Sequence, residues 1–175
     1  MIRHLSLFSG YDGMSLGLKL AGWPIQTAAY VENDPWCQKV LRARMADGSL
    51  DVGEIYGDIT EFDPTPWQGH IDLISAGFPC QPHSHAGSRK GEFDPRNLWP
   101  ETREIIRVVG SEWVVLENVP GILSGNDGRQ GYGISVLGEL SELGFDARWG
   151  IHSAADAGAP HLRKRWWVLA HAQRQ

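Results

Sequence analysis

Short apolar runs and amphipathic stretches alternate along the whole chain. The apolar runs are bounded by turn residues, which is typical of buried strands, and the stretches between them repeat apolar positions with the period of a helix. In order, the pattern predicts strands at 2–8, 25–31, 71–76, 113–117, 145–151 and 165–170, and helices at 13–21, from Pro35 to about Ala46, at about 98–109 and at 134–143.

The residues at the ends of the first two helices agree with this division. Gly22 is expected to be the C-cap of the first helix, and Asp34 and Pro35 are expected to begin the second as N-cap and N1. Strands that alternate with helices predict an α/β fold, with a mixed, mainly parallel sheet and helices on both faces. The chain has 175 residues and no internal repeat, so we expect one domain over 1–175.

Composition narrows the class of protein. Hydrophobic residues make up 42% and charged residues 21%, as in ordinary globular proteins, and no apolar run is long enough to predict a membrane span. With only two cysteines, a disulfide framework is not expected. The few cysteines and the lack of a secretory leader favour a reducing, cytoplasmic compartment. The net charge of −5 counts against strong unaided binding to nucleic acid, because positive charge is confined to short clusters such as Arg163–Arg165.

The first turn and the end of the second strand resemble a nucleotide site. Glycines in the turn from Phe8 to Gly13 would let the backbone approach a ligand, and Glu32 stands where an acid accepts hydrogen bonds from ribose hydroxyls. The GxGxxG spacing of dinucleotide sites is absent, which favours a nucleoside without phosphates. Asp58 could hold a polar edge of adenine. Each feature also has an ordinary explanation, as a structural turn, a solvated acid or a cap.

Candidate reactive groups follow the later strands. Cys80 lies in a turn after the strand at 71–76, between Pro79 and Gln81, where a thiol would be accessible on a fixed backbone. Glu117 ends an apolar strand and could act as a proton donor, although a structural carboxylate is an equal alternative. The second cysteine, Cys37, fits an inert position inside a helix.

Basic residues and histidines complete the candidates. In an extended segment Arg163 and Arg165 would lie on one side and face the site or a phosphate, whereas a solvated cluster is the ordinary alternative. His83 and His85 are a weak metal signal without further ligands, so no metal is expected.

Taken in order, these motifs resemble the DNA (cytosine-5) methyltransferase family from residue 5 to about residue 170. The matching segments are LFSGYDGMSLGL, VEND, GDI, GFPCQPHSHAG, ENV and SAADAGAPHLRKR, and DPRNLWPE is similar to phage-encoded members. The resemblance implies a Rossmann-like methyltransferase fold, S-adenosylmethionine as cofactor, DNA as substrate, and a place in restriction-modification in a bacterial or phage-infected host.

The resemblance also implies roles for individual residues. Cys80 would attack carbon 6 of a cytosine flipped out of the duplex, Glu117 would hold the ring near nitrogen 3, and Arg163 and Arg165 would position the base, the loop or a phosphate. The residues expected to line the cofactor pocket are Phe8, Gly10, Glu32, Asp58, Ile59, Pro79 and Leu98.

The sequence departs from the family pattern at a few positions. Asp12 stands where a glycine is usual, His83 replaces an aromatic residue, and His161 replaces a glutamine. The family's target-recognition region has no counterpart in these residues, so we expect no recognition domain, and a second chain is one source of target recognition.

Three alternatives are left open by the sequence. The chain could methylate cytosine in RNA, or it could be a cofactor-binding lobe that is inactive until a partner chain supplies recognition. A dinucleotide oxidoreductase is least favoured, because the glycine spacing is wrong and Cys80 would have no role.

Overall fold

One seven-stranded sheet organises the chain in a computed structural model, which describes residues 1–79, 97–124 and 131–173. The strands are β1 (Ile2–Leu7), β2 (Ile25–Val31), β3 (Glu54–Tyr56), β4 (Leu73–Ala76), β5 (Trp113–Asn118), β6 (Phe145–His152) and β7 (Arg165–Ala172). The helices are α1 (Gly13–Leu20), α2 (Pro35–Ala46), α3 (Trp99–Val109) and α4 (Tyr132–Glu142), with short 3-10 turns at Thr65–Trp67, Pro120–Leu123 and Ala155–Ala157.

The sheet is mixed and mainly parallel, as the sequence predicts. Its strand order is β3-β2-β1-β4-β5-β7-β6. The pairs from β3 to β5 are all parallel, and β7 runs antiparallel to both of its neighbours. The chain moves outward from β1 to β3 and then returns to β4 on the other side of β1. The carboxyl ends of β1 and β4 therefore flank the crevice in which such sheets bind ligands.

Helices pack on both faces of the sheet. The larger apolar cluster joins α3 and α4 to one face, with Ile106 and Leu140 fully buried. A smaller cluster lies under α1 on the other face, where Met14 and Leu18 pack with Leu73 and Val115. Among the helices in the described ranges, none is long and apolar enough to span a membrane.

The predicted boundaries agree with the structure to within about two residues, and one strand was missed. Asp34 is the N-cap of α2, and its carboxylate accepts hydrogen bonds from the N–H groups of Trp36 (2.7 Å) and Cys37 (3.0 Å). Gly22, with φ 86°, follows the C-cap of α1, which is Ala21. The missed strand, β3, has only three residues and no buried face, so it lacks the apolar pattern that reveals the other strands.

A fully buried histidine joins the three central strands. The ring nitrogens of His4 in β1 lie 2.9 Å from the Thr27 hydroxyl in β2 and 2.8 Å from the Ser75 hydroxyl in β4. A neutral imidazole has one donor and one acceptor nitrogen, which fits two hydroxyl partners. Burial lowers the pKa of His4 to about 3, so the ring is neutral at physiological pH.

We expect His4→Ala to lower the free energy of unfolding by about 2–4 kcal/mol, because it opens a cavity and leaves two buried hydroxyls without partners. The difference in the free energy of unfolding between His4→Ala and wild type should become smaller as the pH is lowered. Below about pH 6.5 the unfolded chain binds a proton at His4 that the folded chain, with a pKa of about 3, does not.

Urea unfolding should show that the difference narrows by about 1.4 kcal/mol between about pH 7.5 and about pH 5.5. His70→Ala is the control, since the His70 side chain is exposed. A difference that stays constant with pH would show that His4 is not held neutral.

Candidate active site

A cavity of about 580 Å³ opens at the carboxyl edge of the sheet, beside the first turn. It is formed where the ends of β1, β4 and β5 meet the end of β6 and the start of β7. Its lining includes Glu117, Arg163 and Arg165 of the predicted site, and the remaining residues are Phe8, Ser9, Gly13, Met14, Gly77, His152, Ser153, Ala154, Ala157 and Trp167. The volume is within the range of small-molecule sites in proteins.

An ion pair fixes the orientation of Glu117 in this cavity. Arg165 Nε lies 2.6 Å from Glu117 Oε1, and the two side chains are 21% and 24% exposed. The other oxygen, Oε2, faces Gly77, at which an added Cβ would lie 3.5 Å from it. Because β7 runs antiparallel to β5, its first residue lies at the edge where β5 ends, and this brings Arg165 to Glu117.

Arg163 reaches the same cavity by a different route from the one predicted. The extended segment begins only at Arg165, and Arg163 lies before it with φ 30°, in the left-handed region. Simple alternation along a strand is therefore the wrong reason for the shared location of the two arginines. A positive φ at a non-glycine residue stores strain, and such positions concentrate at functional sites.

A second, smaller cavity of about 90 Å³ lies beside the first and shares Phe8 with it. Five of the seven predicted cofactor residues line it: Phe8, Glu32, Ile59, Pro79 and Leu98, together with Val31, Asn33 and Gly57. The walls are mostly apolar and one acid stands at the end of β2. The chemistry of these residues fits a nucleoside, because the apolar surfaces could pack on a base and the carboxylate could accept hydrogen bonds from ribose hydroxyls.

Glu32 joins the two turns that border this smaller cavity. Its Oε2 accepts a hydrogen bond from the N–H of Gly10 (2.7 Å), and its Oε1 accepts one from the N–H of Asp34 (2.8 Å). Each carboxylate oxygen can accept a further hydrogen bond, so Glu32 can serve both the backbone and a ligand. Gly10, the sixth predicted residue, has φ 55°, a conformation that favours glycine.

Asp58, the seventh predicted cofactor residue, does not line the smaller cavity, although both of its sequence neighbours do. Its carboxylate accepts hydrogen bonds from the N–H (2.9 Å) and the hydroxyl (2.8 Å) of Thr60. These bonds hold the pKa of Asp58 below its usual value. They are the contacts of a turn residue, and a role toward adenine stays a prediction.

Cys80, His83 and His85 lie outside the described residues, which stop at Pro79 and resume at Asn97. The last described residues before Cys80 are nevertheless well anchored. Phe78 is buried, and its ring lies 5.2 Å from that of Trp99.

Two residues that sequence reasoning gave no role belong to this region. Asn118 donates from Nδ2 to the carbonyl of Phe78 (2.9 Å) and accepts at Oδ1 from the N–H of Val119 (2.8 Å), so it joins the end of β5 to the segment that leads to Cys80. His152 lines the larger cavity at the end of β6. The polar residue within an apolar strand was the available signal for Asn118, and no pattern distinguished His152.

The sequence matches the family described as C-5 cytosine-specific DNA methylase over residues 2–175. The chain belongs to this family. Its members depend on S-adenosylmethionine, so the expected cofactor is confirmed for the family. The expected resemblance is likewise confirmed.

Curated relatives come from bacteria and a virus. The chain is 32% identical over 166 residues to the type II methyltransferase M.NgoMIV of Neisseria gonorrhoeae, which covers 95% of this chain and 50% of the relative. It is 34% identical to M.CviJI of Paramecium bursaria Chlorella virus IL3A (96% and 42%) and 32% identical to M.AquIA of Picosynechococcus sp. (95% and 71%). The chain thus spans about half the length of the first two relatives.

Solved structures support the fold alone. The S. pombe Dnmt2 methyltransferase superposes with a TM-score of 0.75 at 23% identity, over 100% of this chain and 52% of that one. The Entamoeba histolytica methyltransferase EhMeth gives 0.75 at 16% identity, over 99% and 54%. The expected α/β methyltransferase fold is therefore confirmed.

We expect Asn118→Ala to lower the free energy of unfolding by about 1–3 kcal/mol, because the Phe78 carbonyl loses its donor. Asn118→Asp should be at least as damaging, since it keeps the size and the Oδ1 acceptor but replaces the donor with a second oxygen. Urea unfolding at neutral pH measures both, with the exposed Gln26→Ala expected within about 0.5 kcal/mol of wild type. Wild-type stability of Asn118→Asp would contradict the proposed link.

Proposed function

We propose that this protein transfers a methyl group from S-adenosylmethionine to carbon 5 of cytosine in DNA through a covalent cysteine intermediate. The observation that carries the proposal is the Glu117–Arg165 pair in a cavity of about 580 Å³ that shares Phe8 with a smaller, mostly apolar cavity lined by Glu32. A base in the larger cavity and a nucleoside in the smaller one would meet near Phe8. Family membership supports the same reaction.

The smaller cavity would hold the adenosine part of the cofactor. Glu32 would accept hydrogen bonds from the ribose hydroxyls, and Phe8, Ile59, Pro79 and Leu98 would pack on the base. Gly10 would allow close approach of the first turn, and Asp58 would contact the polar edge of adenine. When bound, the cofactor supplies a methyl group on a positively charged sulfur, which is electrophilic without help from a metal ion.

The protein's own groups would activate the cytosine. The thiolate of Cys80 adds to carbon 6, and the electron pair of the carbon 5–carbon 6 double bond becomes available at carbon 5. Glu117, held by Arg165 through Oε1, presents Oε2 toward nitrogen 3 and the exocyclic amine and stabilises this form of the ring. Arg163 would contact a phosphate or the catalytic loop.

Proton removal completes the reaction. After carbon 5 has accepted the methyl group, a base takes the proton from the same carbon. The electron pair of that carbon–hydrogen bond restores the double bond and expels Cys80 as a thiolate. The products are 5-methylcytosine, the demethylated cofactor and one proton.

We also propose that base-specific recognition in a duplex comes from further polypeptide, either in a longer form of this chain or in a partner chain. The greater length of the relatives supports this, because the matched region covers 42–71% of them. The charge of −5 also supports it, because few phosphates can be neutralised by these residues. Kinship with type II methyltransferases supports a cytoplasmic place in restriction-modification.

A trapping experiment tests the reaction. With S-adenosylmethionine, DNA that contains 5-fluorocytosine should form a covalent complex, because fluorine blocks the final loss of the proton. Cys80→Ser should abolish the complex and Cys37→Ser should retain it, and mass spectrometry should locate the adduct on Cys80. Trapping of equivalent RNA in preference to DNA would overturn the proposed substrate, and an adduct on Cys37 would overturn the mechanism.

A binding experiment tests the cofactor site separately. Glu32→Gln should weaken binding of the demethylated cofactor, S-adenosylhomocysteine, by about 1.5–3 kcal/mol, the usual value of a hydrogen bond to a charged group. Isothermal titration calorimetry measures this, with Glu61→Gln as an exposed control. Unchanged affinity in Glu32→Gln would remove Glu32 from the site.

A further inference from the structure

The first turn contains an acid in a backbone conformation that favours glycine. Phe8, Gly10 and Asp12 have φ of 53°, 55° and 58°, so alternate residues of the turn lie in the left-handed region. Asp12 has ψ 39° and precedes α1 as its N-cap residue. Residues other than glycine rarely adopt this left-handed conformation, and local hydrogen bonds can offset its cost for an aspartate.

The Asp12 side chain has such contacts on both sides of the turn. It is 1% exposed. Ser6 of β1 donates its hydroxyl to Oδ1 at 2.9 Å, and Ser15 of α1 donates its hydroxyl to Oδ2. The backbone takes part as well, since the N–H of Asp12 donates to the carbonyl of Ser9 at 2.7 Å. One carboxylate therefore joins the strand before the turn to the helix after it.

We propose that Asp12 is a positioning residue for the cofactor, whose buried carboxylate clamps the turn between β1 and α1 so that Gly10 and Phe8 keep their places at the site. The inference rests on the proposed cofactor site. Asp12 does not line either cavity of that site, so it acts through its neighbours. The Gly10 N–H donates to Glu32, and Phe8 lies between the two cavities, so a shift of the turn would disturb both.

The charged groups around Asp12 determine how the clamp responds to pH. Lys19 of α1 pairs with Asp51 at 2.7 Å, and the two charges have opposite effects on the pKa of Asp12: Lys19 lowers it and Asp51 raises it. Burial, and to a lesser extent the Asp12 charge, raises the pKa of Tyr30 in β2, while His4 of β1 stays neutral above pH 3 because burial lowers its pKa to about 3. Burial raises the pKa of Asp12 to about 6, despite the hydrogen bonds from the two serines.

Ionisation of Asp12 should have opposite effects on folding and on cofactor binding. Since its folded pKa is above the unfolded value, its contribution to stability is present below about pH 4 and is lost as pH rises through about 6. The ionised carboxylate, however, accepts both serine hydroxyls with charge assistance and holds the turn more tightly. Cofactor affinity should therefore rise over the same pH interval in which this contribution to stability falls.

Calorimetry with S-adenosylhomocysteine tests the clamp. Wild-type affinity should fall about tenfold between about pH 7.5 and about pH 5, as the carboxylate loses its charge. Asp12→Asn should bind about tenfold more weakly than wild type at pH 7.5 and lose most of the pH dependence. Asp47→Asn, at an exposed aspartate that accepts from the N–H of Ser49 and lies far from the first turn in sequence, should behave as wild type.

Kinetics separate positioning from a general structural role. Asp12→Asn and Ser15→Ala should raise the KM for S-adenosylmethionine while kcat at saturating cofactor and the KM for DNA stay within about twofold. Ser15→Ala removes one partner of the clamp and serves if Asp12→Asn fails to fold. A loss of kcat with an unchanged cofactor KM would overturn the inference.

The binding results distinguish this inference from the proposed function. If wild type fails to bind S-adenosylhomocysteine at any pH, the proposed cofactor site is wrong. If wild type binds and Asp12→Asn shows the same affinity and the same pH profile, only the clamp is wrong. Asp12→Gly adds a further comparison, since glycine tolerates the backbone conformation without the carboxylate, and it should bind as weakly as Asp12→Asn.

Discussion

Parallel pairing of β1 with both β2 and β4 is the constraint on which the rest of the site depends. Because β1 has a parallel neighbour on each side, the chain must leave its carboxyl end by a tight turn into α1. That turn lies over the crevice between β1 and β4. Glu32 at the end of β2 can then reach the turn, and Gly77, directly after β4, lies beside Glu117. Both cavities follow from this arrangement.

Buried polar groups close to this centre have opposing dependences on pH. His4 resists protonation in the folded state, whereas burial favours the protonated form of Asp12. His4 lies in β1, and Asp12 lies in the turn between β1 and α1. As pH falls from neutrality, the His4 contribution to stability weakens while the Asp12 contribution grows. We therefore expect the change in the free energy of unfolding over this interval to be the difference between these two opposing contributions.

Most of the fold could be predicted from the sequence because the central strands β1, β4 and β5 are largely buried apolar runs and the helices are amphipathic. The sequence also indicated candidate cofactor residues, since Phe8, Gly10 and Glu32 follow strands and the motif order matched a family, and the structure places Phe8 and Glu32 in one cavity with Gly10 bonded to Glu32. Three features could not be predicted from the sequence. The strand β3 depends on pairing with β2 rather than on its own pattern, Arg163 reaches the site through a left-handed residue, and the link from Asn118 to the Phe78 carbonyl joins segments that are distant in sequence.

The antiparallel insertion of β7 between β5 and β6 has a consequence for synthesis on the ribosome. Arg165, which fixes Glu117, belongs to β7, which emerges after the other six strands, whereas the turn at Phe8 directly follows β1. The described lining of the smaller cavity is complete once Leu98, at the start of α3, has emerged, but the lining of the larger cavity is complete only with β7. Pairing of β7 with β5 spans an intervening helix and strand, and such non-local pairing is slow to form. A nascent chain would therefore complete the lining of the smaller cavity before it completes the lining of the larger one.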